Sequence, residues 1–197
     1  LILGYVALED SIKCCKLDIE VPVYDLDYAK LINDSLENDL KVHIALDTGH
    51  GRIGFRDYEI DKIKQIKNLK KLNVVSAFSH FSTADEEDSS YTNLQMEKFT
   101  YIINQTRDIF NYKFTHIAND AGAIKHKITK DMVRGGISLY GIYPSDYLRD
   151  ERDIELDQAF ELISTVSFVK EVKEGQYISY GRTYKAKSDM KVATVAI

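Results

Sequence analysis

The sequence contains few cysteines, no long apolar run and no excess of basic residues. Its two cysteines, Cys14 and Cys15, are adjacent, which disfavours a disulfide between them and is typical of free thiols in a reducing compartment. No apolar run approaches the roughly 20 residues that cross a bilayer. Residues 1–10 lack a basic segment, so no signal peptide is predicted and we expect a cytoplasmic protein without membrane contacts. Basic residues are scattered and the net charge is −5, which argues against a nucleic-acid partner.

Apolar residues make up 44% of the chain and charged residues 29%, as in soluble globular proteins. Short apolar segments alternate with segments of helical periodicity, an order typical of a parallel sheet covered by helices. Six segments are predicted to be strands: 1–5, 20–25, 41–47, 72–81, 113–120 and 132–141. Two of the predicted helices have a clear apolar face, formed by Ile60, Ile63, Ile66 and Leu69 and by Phe99, Ile102, Ile103 and Phe110. Six βα units are compatible with a doubly wound sheet or with part of an eight-stranded barrel, and periodicity does not choose between them.

The pattern changes after about residue 155. The segments 161–172, 176–186 and 191–197 are rich in β-forming residues and are separated by turn signals rather than helices. We therefore predict a domain at 1–155 and the beginning of an antiparallel β domain at 156–197. The sequence starts without methionine and ends inside an apolar run, so we expect that it lacks both ends of a longer protein.

Polar residues follow several of the predicted strands, at positions that would share one rim of a barrel. Segment 47–52 (DTGHGR) follows one strand, and His80, Asn119 and Arg134 follow or lie in others. Each has a simpler explanation, since the glycines can serve a tight turn and His80 can be a hydrogen-bonded core histidine. Together, two arginines, an imidazole and a Gly-Gly pair able to hold phosphate suit a flat, anionic, heteroaromatic cofactor. No metal-ligand pattern is predicted.

Five segments, in order along the chain, resemble motifs of the alanine racemase family. They are ALDTGHGRIGF, SHFSTADEED, HIANDAGAI, VRGGISLYGIYPS and VKEVKEGQYISYGRTYKA. The resemblance implies an α/β fold, a partial TIM-type (β/α)8 barrel of about six βα units, followed by the start of a C-terminal antiparallel β domain. It also implies pyridoxal 5'-phosphate as cofactor, a small amino acid as substrate, and a homodimer with the active site at the subunit interface.

The resemblance assigns supporting catalytic roles to three residues around the cofactor ring. Arg134 would face the pyridine nitrogen and leave it unprotonated, which makes the ring a weaker electron sink and favours proton return over side reactions. Arg52 would bond the phenolic oxygen and approach the substrate carboxylate. His80 would pack on the ring and support Arg134.

The resemblance also assigns residues to the phosphate end and to the entrance of the site. Asn119 and Asp120 would bind the cofactor, the backbone of Gly136 and Ile137 would hold its phosphate, and Asp85 would lie along the substrate entry path. Asp120 departs from the family, which has a phosphate-binding serine there, and a carboxylate beside a phosphate is repulsive unless it turns away or is protonated.

A second departure is Ala45, where the family usually has a lysine that is held against the first arginine, so Arg52 is expected to lack its orienting partner. Racemisation needs two bases. The family's Schiff-base lysine and catalytic tyrosine are expected before Leu1 and after Ile197, so this stretch alone is expected to be inactive.

The resemblance implies interconversion of L- and D-alanine, which supplies D-alanine for cell-wall synthesis. Alternatives are a serine or broad-specificity amino-acid racemase of the same fold, a non-catalytic pyridoxal-phosphate-binding barrel and a degenerate enzyme. The β-rich segment after residue 155 argues against a single-barrel protein, and Ala45 favours a wider substrate site.

Overall fold

A four-stranded parallel sheet forms the centre of the first of two units in the computed structural model. The units are Leu1–Gln158 and Ala159–Ile197, and the structure describes residues 1–129, 131–151 and 153–196. Strand order in the sheet is β1-β2-β3-β4, so each strand pairs with its successor in the chain. The strands are Val21–Val23 (β1), Leu40–Ala45 (β2), Leu72–Phe78 (β3) and Phe114–His116 (β4). Parallel strands added in chain order, without a reversal, are what consecutive βα units of a barrel produce, and the predicted partial barrel is confirmed.

Helices connect the strands and cover the sheet. Two of them have the apolar faces predicted from the sequence, since Ile63, Ile66 and Ile102 are fully buried. The helices of this unit are Leu8–Lys16 (α1), Leu26–Ser35 (α2), Ile60–Gln65 (α3), Ser90–Phe110 (α4), Asp120–Ile124 (α5) and Asp146–Glu151 (α6). Among the described residues, no helix combines the length and apolar character required to cross a membrane.

Two of the six predicted strands are absent from the sheet. Segment 1–5 makes one backbone hydrogen bond to the β1 side, from Ile2 N–H to Glu20 O at 3.0 Å. Segment 132–141 likewise makes one, from Arg134 N–H to Ala118 O at 3.1 Å, and then forms a short 3-10 helix at Ile137–Tyr140. The N–H groups of Gly136 and Ser138 donate to the side chain of Asp120 instead of to a neighbouring strand, so no ladder of backbone hydrogen bonds forms. The prediction of strands at 1–5 and 132–141 was therefore wrong.

The second unit is built from antiparallel pairs, as predicted for the start of a β domain. Strand β5 (Val166–Val172) pairs with β8 (Met190–Val195), and the short strands β6 (Tyr177–Ile178) and β7 (Tyr184–Lys185) pair with each other. Asp189 links the two turns of this unit, because its carboxylate accepts from Lys173 Nζ at 2.8 Å and from Glu174 N–H at 3.0 Å.

Candidate functional site

The carboxyl ends of three neighbouring strands define one edge of the parallel sheet. Ala45, Phe78 and His116, the last residues of β2, β3 and β4, are register partners in adjacent strands. The segments that follow these residues must therefore emerge side by side. This is the edge at which barrel enzymes place their active sites.

Arg134 reaches this edge from the segment after α5, and its guanidinium binds groups from two strands. It donates from Nη1 to His116 Nδ1 at 2.5 Å and from Nη2 to His80 Nδ1 at 3.0 Å. The same Nη2 lies 2.8 Å from Ser79 O and 3.1 Å from Ile117 O. Its Nε is buried and has no hydrogen-bond partner among the described residues. The guanidinium is thus fixed on one side and retains one buried donor.

These contacts determine the protonation of two imidazoles. Because a guanidinium only donates, Nδ1 of both His80 and His116 must accept, so each ring carries its single proton on Nε2. Burial, reinforced by the charge of Arg134, lowers the pKa of His80 from its usual 6.5 to about 4 and that of His116 to about 3. Burial, followed by the charge of Arg52, lowers the pKa of Arg134 to about 10, which leaves it cationic at neutral pH. The cluster around Arg134 therefore combines its guanidinium with two neutral rings.

The hydrogen bonds continue from His116 across the interior of the sheet. His116 Nε2 lies 3.5 Å from Nδ1 of His43, which also contacts Ser76 Oγ at 3.0 Å. His43 Nε2 lies 2.6 Å from the carboxylate of Glu20. With the tautomer set by Arg134, every donor in this chain points from the guanidinium towards Glu20. A half-buried cation at the carboxyl ends of the strands is thus connected through two neutral rings to the carboxylate of Glu20, which directly precedes β1.

Arg52 and His80 line a small pocket at the rim, together with Phe78. Arg52 is exposed, and its charge contributes to the lowered pKa of both His80 and Arg134. The ring of His50 packs edge-on against His80, with 5.1 Å between the ring centres. The structure thus brings together all three residues that were assigned to the cofactor ring.

The loop that carries Arg52 is organised by Asp47. One carboxylate oxygen of Asp47 accepts from the N–H groups of Gly49 and Gly51 at 3.0 and 2.9 Å, and the other pairs with Arg56 at 3.0 Å. Gly54 has φ of +126°, and a Cβ there would lie 2.7 Å from Asp47 N. Asp47 and Gly54 therefore determine the conformation of the loop, and neither lines the small pocket beside Arg52.

At the proposed phosphate end, Asp120 contacts the backbone of the segment that follows Arg134. Its carboxylate accepts from Gly136 N–H at 2.7 Å and from Ser138 N–H at 3.1 Å. Ile137 lies between these donors, and its side chain is exposed. Asn119 caps the N-terminus of α5, and its Oδ1 accepts from Gly122 N–H at 3.0 Å. The N–H groups of Gly136 and Ser138 thus form a cradle that holds a carboxylate of the protein itself, and phosphate binding by Gly136 and Ile137 stays a prediction.

Asp85 lies in a loop that is attached to other parts of the first unit. Its carbonyl accepts from Ser145 Oγ at 2.8 Å, and Lys125 Nζ donates to Glu87 O at 2.9 Å and also to Glu86 O. The Asp85 side chain is half-buried, and no hydrogen bond or ion pair from it appears among those described. The position of Asp85 is therefore set by the backbone contacts of its loop with Ser145 and Lys125.

His116, His43 and Glu20 were not among the site residues predicted from the sequence. His116 is the first residue of the HIAND motif and directly precedes the predicted rim, which is a usable signal. His43 and Ser76 are register partners on β2 and β3, and this pairing follows a register shift between Val42 and His43. No local pattern in the sequence reveals that shift.

Two family models match nearly the whole chain. The model described as "Alanine racemase, N-terminal domain" matches residues 1–144, and "Alanine racemase, C-terminal domain" matches residues 159–197.

Relatives and solved structures are similar over the same extent. Alanine racemase from Clostridium perfringens is 40% identical over all of this chain and 53% of its own length, and alanine racemase 2 from Bacillus subtilis is 36% identical over all of this chain and 52% of its own. A crystal structure of alanine racemase from Bacillus anthracis with bound L-Ala-P has a TM-score of 0.83 at 31% identity, covering 100% of this chain and 52% of that one. Histidine racemase from Leuconostoc mesenteroides has a TM-score of 0.72 at 25% identity, covering 100% and 54%. The chain spans about half the length of the curated relatives it matches.

Proposed function

Because the chain belongs to the alanine racemase family, we propose that the whole protein interconverts L-alanine and D-alanine with pyridoxal 5'-phosphate. The observation that carries the proposal is the Arg134 guanidinium, fixed by His80 and His116 at the rim where barrel enzymes act. A half-buried cation that has no carboxylate partner among the described residues suits a neutral ring nitrogen opposite it.

Two features of the described residues fit this cofactor. The buried Nε of Arg134 has no protein partner, which leaves a donor for a ring nitrogen. The N–H groups of Gly136 and Ser138 converge on the carboxylate of Asp120, which stands in for an anion such as phosphate. When bound, pyridoxal phosphate withdraws electrons from the substrate Cα and makes its proton removable.

The chain's own residues would control how far that withdrawal goes. Arg134 remains charged at neutral pH and has no proton-accepting atom, so it would keep the facing ring nitrogen unprotonated. His80 and His116 are neutral acceptors that hold the guanidinium in place, and they add no second cation. Arg52, at the mouth of the pocket, would attract the substrate carboxylate.

The remaining assignments belong to the same proposal. We place cofactor binding in residues 1–155, with Asn119, Asp120, Gly136 and Ile137 at the phosphate end, and the β domain from residue 156. Asp85 would lie along the substrate path. The whole protein would be a cytoplasmic homodimer with the active site between subunits, and its lysine and tyrosine bases would lie outside these 197 residues.

The first test is enantiomer analysis of the full-length protein. We expect D-alanine to form from L-alanine, to require added pyridoxal phosphate after the cofactor is removed, and to approach an equal mixture. L-serine and L-histidine are run in parallel, because Ala45 and the similar histidine racemase make another substrate the main alternative. Racemisation of serine or histidine in preference to alanine would change the proposed substrate. Absence of racemisation with any amino acid would refute an enzymatic role.

The second test replaces Arg134 with Glu in the full-length protein. A carboxylate facing the ring nitrogen raises its proton affinity, so we expect slower racemisation and a larger fraction of transamination per turnover. Arg107→Glu, at an exposed position on α4, is the matched control and should change neither rate nor product ratio. An unchanged product ratio in Arg134→Glu would show that Arg134 does not face the ring.

A further inference from the structure

The carboxylate of Asp120 binds the two N–H groups that an incoming phosphate would need. Gly136 N–H and Ser138 N–H point at its two oxygens, at 2.7 and 3.1 Å. In the part of the chain that the structure describes, Asp120 forms no ion pair with a lysine or arginine. Its charge is stabilised by the same backbone donors that characterise an anion cradle.

The local backbone favours this contact. Asp120 is the first residue of α5, directly after Asn119, which caps that helix through its own side chain. Asp120 is therefore not needed as the cap and is available to reach the neighbouring segment. At Gly136, an added Cβ would lie 3.1 Å from Asp120 Oδ2, so the glycine leaves the space that the carboxylate uses.

A carboxylate and a phosphate cannot share these donors. Each N–H supplies one hydrogen, and two anions at hydrogen-bond distance repel each other. We propose that Asp120 is a resident competitor for the cofactor phosphate: it holds the 136–138 turn in its anion-binding form and must withdraw before phosphate binds. The inference rests on the proposed function, because that function places phosphate in this cradle.

Two opposite effects follow from this competition. Without an added anion, Asp120 stabilises the turn, since hydrogen bonds to a charged acceptor contribute more than neutral ones. With phosphate, the same side chain opposes binding. Removing the carboxylate should therefore destabilise the free protein and tighten anion binding, a combination that a purely structural aspartate does not produce.

The test compares full-length wild type with Asp120→Ser and Asp120→Asn. Affinity for inorganic phosphate and for pyridoxal phosphate is measured by calorimetry, and the thermal midpoint is recorded with and without phosphate. We expect Asp120→Ser to bind both ligands roughly tenfold more tightly. Its midpoint should be lower without phosphate and should rise more on phosphate addition than that of wild type. Asp120→Asn keeps the shape and removes the charge, so its affinity should also increase.

Asp131→Ser is the matched control. Its carboxylate also accepts from one backbone N–H and one hydroxyl, those of Thr115 at 2.9 and 3.2 Å, but outside the cradle. It should lower the midpoint without improving phosphate binding. Equal or weaker phosphate binding by both Asp120 variants would overturn the inference. If phosphate binding tightens but no form of the protein racemises an amino acid, the inference stands and the proposed function fails.

Discussion

Replacing His80 with Asn should reduce the acid sensitivity of the fold. His80 accepts a hydrogen bond from Arg134 through Nδ1, so the folded protein requires the neutral ring. An asparagine amide oxygen can accept the same bond and has no titratable proton. The substitution therefore removes a proton-binding site while retaining the acceptor that Arg134 needs.

The magnitude follows from the lowered pKa. His80 titrates near 6.5 when unfolded and at about 4 in the folded protein, so between these values the unfolded chain binds a proton that the folded chain does not. Its contribution to stability is complete above pH 6.5 and is lost as the pH falls towards 4. At pH 5 the loss amounts to about 2 kcal/mol, with a slope of roughly 1 kcal/mol per pH unit.

Urea unfolding at pH 8, 7, 6 and 5, followed by circular dichroism, measures this difference. Other groups that titrate in this range affect both proteins and cancel in the comparison. We expect the free energy of unfolding of His80→Asn to fall by about 2 kcal/mol less than that of wild type between pH 8 and pH 5. Parallel curves would refute the reasoning, because they would mean that His80 has the same proton affinity in both states.

Two further substitutions test the interior chain and the Arg52 loop. Glu20→Gln removes the carboxylate charge that contacts His43, and we expect it to lower the free energy of unfolding at pH 7 by about 1–3 kcal/mol in urea titrations. Glu97→Gln, at an exposed position, is the control and should have no such effect. Equal effects of the two substitutions would contradict a special role for Glu20. Gly54→Ala should cost at least about 2 kcal/mol and lower the thermal midpoint, because its φ is +126° and its Cβ would meet backbone atoms at 2.7–2.9 Å. Gly4→Ala, which has open space, is its control, and a similar midpoint in both variants would show that the loop relaxes freely.

The strands and helices that could be predicted from the sequence are those marked by an apolar run or an apolar periodicity within their own residues. Strands β2 and β3 are mostly buried, so their apolar runs are visible in the sequence. Helix α4 buries Phe99, Ile102 and Ile103, which recur at helical spacing in the sequence. Segment 132–141 looked like a strand because it is apolar, but its N–H groups bind Asp120, a contact between residues 16 and 18 positions apart. Periodicity contains no information about such a side-chain competitor for backbone donors.

The candidate site was predictable to a similar extent. The resemblance named Arg52, His80 and Arg134, and the structure places these three residues near one another, whereas their roles towards a cofactor stay predictions. It did not identify the path from His116 to Glu20, which depends on the register of β2 against β3. A shift of one residue would turn His43 to the opposite face of the sheet and break the path. Register is fixed by packing over the whole sheet, so no short segment predicts it.

The two departures from the family lie at opposite ends of the proposed site. Asp120 occupies the phosphate end, where it competes for Gly136 and Ser138. Ala45 ends β2 beneath the loop of Arg52, and within the described residues no side chain forms an ion pair with that arginine. Arg134, between these two ends of the proposed site, keeps its hydrogen bonds to His80 and His116. Under the proposed function we therefore expect changes at the two ends to alter cofactor affinity and the orientation of the substrate carboxylate. The groups around Arg134, which would face the ring nitrogen and set the choice between racemisation and transamination, would be unaffected.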